Sequence, residues 1–175
     1  PNINIYSPSG SKSMSVTTKE AFNNKNASFI RISKHGIDEM SKVESPNHYI
    51  CEMNLPTLVI SHGKMISRAL DAYNQLPMFS IFAMDKIKPL DDTLLNNLFI
   101  RFETIIVIED NFRSGLYNSL CQWAIEKKAC HTNIFSISPN ESYDEVMGDA
   151  EFLEDMHGLS VGKINKRIIN IINNK

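Results

Sequence analysis

An α/β fold, with a mainly parallel sheet covered by helices on both faces and preceded by a separate β-α-β fragment, is predicted by three features of the sequence. From residue 57 onward, short apolar runs alternate with amphipathic stretches of about 10–14 residues, the pattern of repeated β-α units. The runs are apolar along their whole length, as strands buried on both faces of a parallel sheet are. A strand-helix-strand pattern over residues 1–33 is set apart from this array by a stretch, 34–56, that holds Gly36, Pro46, Asn47, Asn54 and Pro56.

The elements follow in order. Ile3 and Ile5 alternate with Asn2 and Asn4 in a short strand that ends in the turn Ser7-Pro8-Ser9-Gly10. Ser11 to Asn24 reads as a helix with Met14, Thr18, Ala21 and Phe22 on its inner side, and Ala27 to Ile32 as a second strand. Lacking further strands, residues 1–33 are expected to leave sheet edges unpaired, and unpaired edges are templates for another chain. The connector 34–56 carries one possible strand at Tyr49 to Glu52. Strands follow at Thr57–Ser61, Phe79–Met84, Thr104–Ile108 and Asn133–Ser138. Between them lie helices with Met65, Ala69, Ala72, Tyr73 and Leu76, then Leu94, Leu95, Leu98, Phe99 and Phe102, then Leu116, Leu120, Trp123 and Ala124 facing inward. Two final helices cover Ala150–Met156 and Ser160–Asn173, with Gly158 suited to a left-handed stop and Ser160 to a cap.

Composition bounds function. The 175 residues are 42% hydrophobic and 22% charged, enough for a core, and the net charge of −2 gives no global field for nucleic acid. No apolar run approaches the roughly 18 residues of a membrane helix, and no secretory leader is readable at the N-terminus. Cys51, Cys121 and Cys130 form no C-x-x-C pair, so reduced thiols and a cytoplasmic location are expected, and no metal site.

Parallel sheets take ligands at the carboxyl ends of their strands. Here those ends are His62-Gly63, Asp85-Lys86, Glu109-Asp110 and Ser138-Pro139. Gly63 is a tight turn or the start of a phosphate loop. Glu109-Asp110 is a solvated strand end or an acid pair. Asn111 to Gly115 is a surface loop or an anion site at a helix N-terminus. Arg31, Lys34 and His35 form a solvated basic edge or a phosphate contact, since Arg grips phosphate bidentately and Lys acts as a point charge. At the junction Ile87-Lys88-Pro89-Leu90-Asp91-Asp92, Pro89 should end the strand from Phe79, and Asp91 should cap or charge-match the helix to Phe102.

That junction, with Leu58-Val59-Ile60-Ser61-His62-Gly63, Ile106-Val107-Ile108-Glu109-Asp110 and His157-Gly158-Leu159-Ser160, resembles the C-terminal domain of the transketolase family. Tyr6-Ser7-Pro8-Ser9 and Phe29-Ile30-Arg31-Ile32 resemble the end of that family's pyrimidine-binding domain. Split transketolases and 1-deoxyxylulose-5-phosphate synthases share the layout. The synthases usually carry Arg where Asp85 stands four residues before Pro89.

The resemblance implies a division into 1–33, the end of a pyrimidine-binding-type domain, 34–56, a connector, and 57–175, a transketolase C-terminal-type domain. It implies the C-terminal portion of a thiamine-diphosphate-dependent enzyme that transfers two-carbon ketol units between sugar phosphates. Thiamine diphosphate and Mg²⁺ would be bound by an N-terminal portion or subunit and not by this chain alone, so no catalytic residue is expected here. A homodimer is implied, with Arg31, Lys34 and His35 on the substrate phosphate and Pro89 and Asp91 as structural junction residues. Two alternatives stay open: a non-catalytic assembly or regulatory module, and the C-terminal region of a 2-oxoacid dehydrogenase beta subunit.

Overall fold

In a computed structural model, residues 2–33, 43–129, 131–142 and 145–174 are described. The array starting at residue 57 forms the greater part of a five-stranded sheet ordered β3-β5-β4-β7-β8. Its strands are β3 (Asn47–Cys51), β4 (Thr57–Ser61), β5 (Ser80–Met84), β7 (Thr104–Ile108) and β8 (Asn133–Ile137). The last four run parallel, with Leu58 opposite both Ser80 and Ile105, while β3 pairs antiparallel to β5. The stretch 34–56 thus contributes an edge strand to the sheet, two residues ahead of the position its apolar residues suggest.

Every residue of β4, β5 and β7 is buried, because helices cover both faces. On one face, α3 (Asp92–Arg101) and α4 (Leu116–Glu126) pack Leu95, Leu98, Phe99, Leu120 and Trp123 onto Leu58, Ile60, Phe82 and Val107. On the other, α2 (Met65–Gln75) and α6 (Val161–Asn173) pack Met65, Ala69, Ile164 and Ile168 onto Val59, Ile81 and Ile106. A short helix, α5 (Ala150–Met156), precedes α6, and Gly158 turns between them with φ of +76°. Ser160 stands at the start of α6, but its hydroxyl donates to Asp155 Oδ1 at 2.6 Å, so it does not cap that helix by side chain.

Residues 3–30 form β1 (Ile3–Tyr6), α1 (Ser11–Asn23) and β2 (Ala27–Ile30). They build a three-stranded sheet ordered β2-β1-β6, whose third strand, β6 (Lys86–Lys88), comes from the segment after β5. This corrects two expectations. Strand β1 is paired on both edges, parallel to β2 and antiparallel to β6, so that among the described residues β2 and β6 are the outer strands of this sheet. Pro89 ends β6 rather than the strand from Phe79, which has already stopped at Met84.

The inner side of α1 also differs from the prediction. Ser13 and Thr17 are its buried residues, and Phe22 is 89% exposed. Ser13 bonds to Ser9 and Gly10 in the turn that starts the helix, which holds its side chain inward. Of the predicted inner residues, Thr18 and Phe22 are exposed, and Met14 and Ala21 are half-buried.

Candidate functional site

The carboxyl ends of β1, β2, β4 and β7 meet where the small sheet abuts the large one. The main chain makes the first connection. Ser7, just past β1, donates its N–H to the carbonyl of Asp85 at 2.7 Å and accepts the N–H of Gly63 at 2.9 Å. Gly63 has φ of +54°, and a Cβ there would lie 2.6 Å from Ser7 Oγ, so both the conformation and the close approach require glycine. Gly63 is a tight turn, and what it turns against is the small unit.

His62 is 1% exposed. Its Nδ1 lies 3.1 Å from Ser7 Oγ, and its Nε2 lies 3.9 Å from Glu109 Oε2. No hydrogen-bond partner reaches that Nε2 among the described residues.

Glu109 is fully buried rather than a solvated strand end. Its two carboxylate oxygens accept the N–H groups of Leu116 at 2.9 Å and Tyr117 at 3.0 Å, at the N-terminus of α4. Helix N-termini favour an anion, and the chain supplies its own. A Cβ on Gly115 would come within 2.3 Å of Glu109 Oε2, so the carboxylate packs directly on that backbone. The loop from Asn111 to Gly115 therefore offers no vacant anion site at this helix start.

Asp110 turns the other way. The Arg31 guanidinium donates to both of its carboxylate oxygens, at 2.8 and 2.7 Å, and Lys64 Nζ stands 3.7 Å away. Burial pushes the Asp110 carboxyl up, but the hydrogen bonds and charge of Arg31, with Lys64 and His62, outweigh it and hold its pKa below the ordinary carboxylate value. The hydrogen bond to Asp110 in turn raises the Arg31 pKa. Lys64 also pairs with Glu154 at 3.0 Å, and Arg68 pairs with the same carboxylate at 2.7 Å.

Two hollows open on this joint. A cleft of about 700 Å³ separates the small sheet from α4, floored by Ile5, Phe29, Leu116 and Trp123 and reached by His62 and Arg31. A pocket of about 170 Å³ is enclosed by Ser7, Arg31, Ser33, Gly63, Lys64 and Asp110.

Of the residues expected on phosphate, Arg31 is at this joint, with its guanidinium engaged by Asp110; Lys34 and His35 lie outside the described residues. Pro89 lines the wider cleft, after a cis Lys88–Pro89 peptide. Asp91 is the N-cap of α3, its Oδ1 accepting from Leu94 N at 3.0 Å. Next to it, Asp92 accepts from Trp123 Nε1 at 2.9 Å and ties α3 to α4. Asp85, where the synthase pattern has Arg, is buried and accepts from Ser9 Oγ at 3.1 Å.

Sequence reasoning missed Ser7, His62 and Lys64 as partners. The signal available was position: Ser7 and His62 each directly follow a strand of a parallel pair, where ligands and contacts converge.

No family model matches the chain. Along 98% of its length it is 25% identical, over 183 residues, to the 1-deoxy-D-xylulose-5-phosphate synthase of Dictyoglomus turgidum. It is 24% identical, over 182 residues, to that of Clostridium perfringens strain SM101. It spans 29% of each of these relatives. Among solved structures, a split-gene transketolase in an inactive β4 tetramer superimposes with a TM-score of 0.77 at 17% identity, over 97% of this chain and 57% of that one. The transketolase of Campylobacter jejuni gives 0.70 at 16%, over 97% of this chain and 26% of its own. In sequence along nearly its whole length, and in fold, the chain is similar to transketolase-family proteins, in the manner of a transketolase C-terminal domain with a β-α-β unit ahead of it.

Proposed function

We propose that the chain is the C-terminal portion of a thiamine-diphosphate-dependent, transketolase-like enzyme that transfers two-carbon ketol units between sugar phosphates, and that it does not turn over alone. One observation carries this. The carboxyl ends of β2, β4 and β7 bring together Arg31, His62, Lys64 and Asp110, at the place where such sheets take ligands. The chain also resembles, along its length, synthases whose product is named as a sugar phosphate. Residues 1–33 are then the end of a pyrimidine-binding-type domain, 34–56 a connector and 57–175 the C-terminal-type domain. Arg31, with Lys34 and His35 following it, is the substrate-phosphate contact.

The described residues do not fit thiamine diphosphate with Mg²⁺. No group of three or more His, Cys, Asp or Glu converges among them. Both oxygens of Glu109 are taken by α4 amides, and both oxygens of Asp110 by Arg31. The proposal assigns the cofactor to an N-terminal portion or subunit, and no chemical step is assigned to residues here. A homodimer in the cytoplasm completes the proposal; no helix of the described residues is long and apolar enough to cross a membrane.

The test joins this chain to the portion that holds the cofactor and measures ketol transfer. Losing a charged hydrogen bond costs about 1.5–3 kcal/mol, so Arg31→Ala should raise KM for phosphorylated sugars roughly 10- to 100-fold and barely change it for unphosphorylated ones. Equal effects on both would reject Arg31 as the phosphate contact. Ketol transfer by the 175 residues alone would reject the claim of dependence.

A further inference from the structure

Two exposed patches, one on each unit, are opposite in charge and alike in leaving large apolar side chains uncovered. The first surrounds α5. Residues 129–162 contain seven Asp and Glu and no Lys or Arg, whereas the rest of the chain is net basic. Within this stretch Met147 is 100% exposed and Phe152 50%, and Met156, one turn further along α5, is exposed as well. The Phe152 ring packs on Gly148, where a Cβ would lie 2.2 Å from Cδ1, so the segment carrying Met147 lies against α5. Glu154 and Asp155 are taken by Lys64, Arg68 and Lys163. Glu145 and Glu151 are exposed, and no ion pair reaches either among the described residues.

The second patch is the outer side of α1. Ser15, Thr18, Lys19, Phe22 and Asn23 line a shallow hollow of about 430 Å³. Lys19 and Lys25 are exposed, and no carboxylate pairs with either among the described residues. Glu20, the one acidic residue of this helix, is occupied elsewhere, with Tyr6 and Lys86. Each patch holds apolar side chains in water and unanswered charges, and each offers the charge that the other lacks.

We propose that the α1 face of one copy docks on the α5 face of a second copy, and that this contact is made twice, about a two-fold axis, in a homodimer. The proposal rests on the homodimer in the reading above and names the surface that forms it. In this pairing Lys19 and Lys25 answer Glu145 and Glu151, and Phe22 meets Phe152 and the methionines. A methionine side chain is flexible, and its sulfur is attracted to aromatic rings, so Met147 suits the hollow beside Phe22 without a preformed socket. Charge also selects the pairing. A dimer built α1 on α1 would set lysines against lysines, and one built α5 on α5 would set carboxylates against carboxylates.

Sedimentation velocity of the 175-residue chain over a concentration series tests this. The wild-type chain should dimerise, and added salt should weaken the dimer. Lys19→Glu with Lys25→Glu makes both faces acidic, and Glu145→Lys with Glu151→Lys makes both basic. Each double variant alone should dimerise at least about tenfold more weakly. Mixed one to one, the two should pair with near wild-type affinity, because every contact in the mixed dimer joins an acidic face to a basic one. Phe22→Ala should weaken the dimer about tenfold yet leave the urea unfolding of the dilute, dissociated chain in place, because the contact lies between copies. Three results would overturn the proposal: a wild-type chain that stays monomeric, double variants that dimerise as the wild type does, or double variants that do not pair when mixed. The first would also remove the homodimer from the functional reading, while the second and third would remove this surface alone. Ketol transfer, measured after the chain is joined to the portion that holds the cofactor, decides the rest of that reading separately.

Discussion

The small and large units use the same β-α-β pattern but are stabilised in opposite ways. In the large unit, β4, β5 and β7 are buried at every position between two apolar layers. In the small unit, Tyr6 and Pro8 are the buried apolar residues among those described, alongside buried Asn4, Ser7, Ser9, Ser13 and Thr17. Phe22 and Phe29 are 89% and 58% exposed. What joins the small unit to its neighbour is polar. The Ser7 main chain bridges Asp85 and Gly63, Arg31 grips Asp110, and Glu20 takes both the Tyr6 hydroxyl at 3.2 Å and Lys86 at 2.6 Å. Burial, with the charge and hydrogen bond of Glu20, raises the Tyr6 pKa to about 12, so that hydroxyl stays a donor across the working pH range. Apolar burial is non-directional and sums over area, whereas these links depend on a few distances. The large unit should therefore tolerate change at the joint, and the small unit should not.

The largest expected effect tests the large unit. Phe99→Ala removes a ring packed on Trp123, with centroids 4.9 Å apart, and should cost about 3–5 kcal/mol in urea denaturation. Phe22→Ala, on the outer side of α1, should stay within about 0.5 kcal/mol. Similar losses for both would erase the contrast.

A second variant separates the units. Gly63→Val forces a branched side chain into a positive-φ turn already in contact with Ser7, at a cost of order 1–3 kcal/mol. Protease cleavage within residues 1–33 should rise severalfold while the main urea midpoint moves little. A midpoint that falls in step with the cleavage would mean that the two units unfold as one body.

The same contrast sets what the sequence could reveal. Where apolar burial decides, pattern suffices: Leu95, Leu98, Phe99 and Phe102 face inward on and just after α3, as do Leu116, Leu120, Trp123 and Ala124 on α4, as their spacing predicts. Where polar contacts decide, it does not. The α1 pattern favours Met14 and Phe22, yet Ser13 and Thr17 are the buried residues, and the hydrogen bonds of Ser13 to the turn at the helix start leave no trace in the apolar spacing. Strand β6 has three residues and no pattern of its own, so only its pairing with β1 defines it. The site divides along the same line. The position of Arg31 at a strand end was legible. Its partner lies 79 residues away, and His62 is 55 residues from Ser7, separations that no local period encodes. Glu109 looked solvated because its neutralisation comes from main-chain N–H groups, which carry no residue identity.

Asp91 sits in the large unit but works by a local polar contact, so it asks whether the contrast lies between units or between kinds of interaction. Its carboxylate satisfies the Leu94 N–H at the start of α3. Asp91→Ala should cost about 0.5–2 kcal/mol, and Asp91→Ser should recover most of it. A loss as large as that of Phe99→Ala would show that the α3 start depends on more than its cap.

The smallest expected effect is on the Arg31–Asp110 pair, and its sign follows from the shift in Asp110. The folded protein holds this carboxyl below its ordinary value, so the native state binds the proton less readily than the unfolded chain does. The contribution of the pair is fully present above the unfolded carboxylate value of about 3.9 and fades as pH falls through the lower folded value. Arg31 is 42% exposed, so solvent screens the pair and its worth is of order 1 kcal/mol or less. Protease sensitivity of residues 1–33 should therefore stay flat from pH 8 to about pH 5 and climb below about pH 4, ahead of any loss of the large unit. Asp110→Asn should remove that acid-dependent step and leave the small unit moderately sensitive at every pH. A step that persists in Asp110→Asn would assign it to another carboxylate at the joint, with Glu20 the first to test, since it bonds both Tyr6 and Lys86. A large unit that loosens at the same pH as the small one would show that the polar links and the apolar layers fail together.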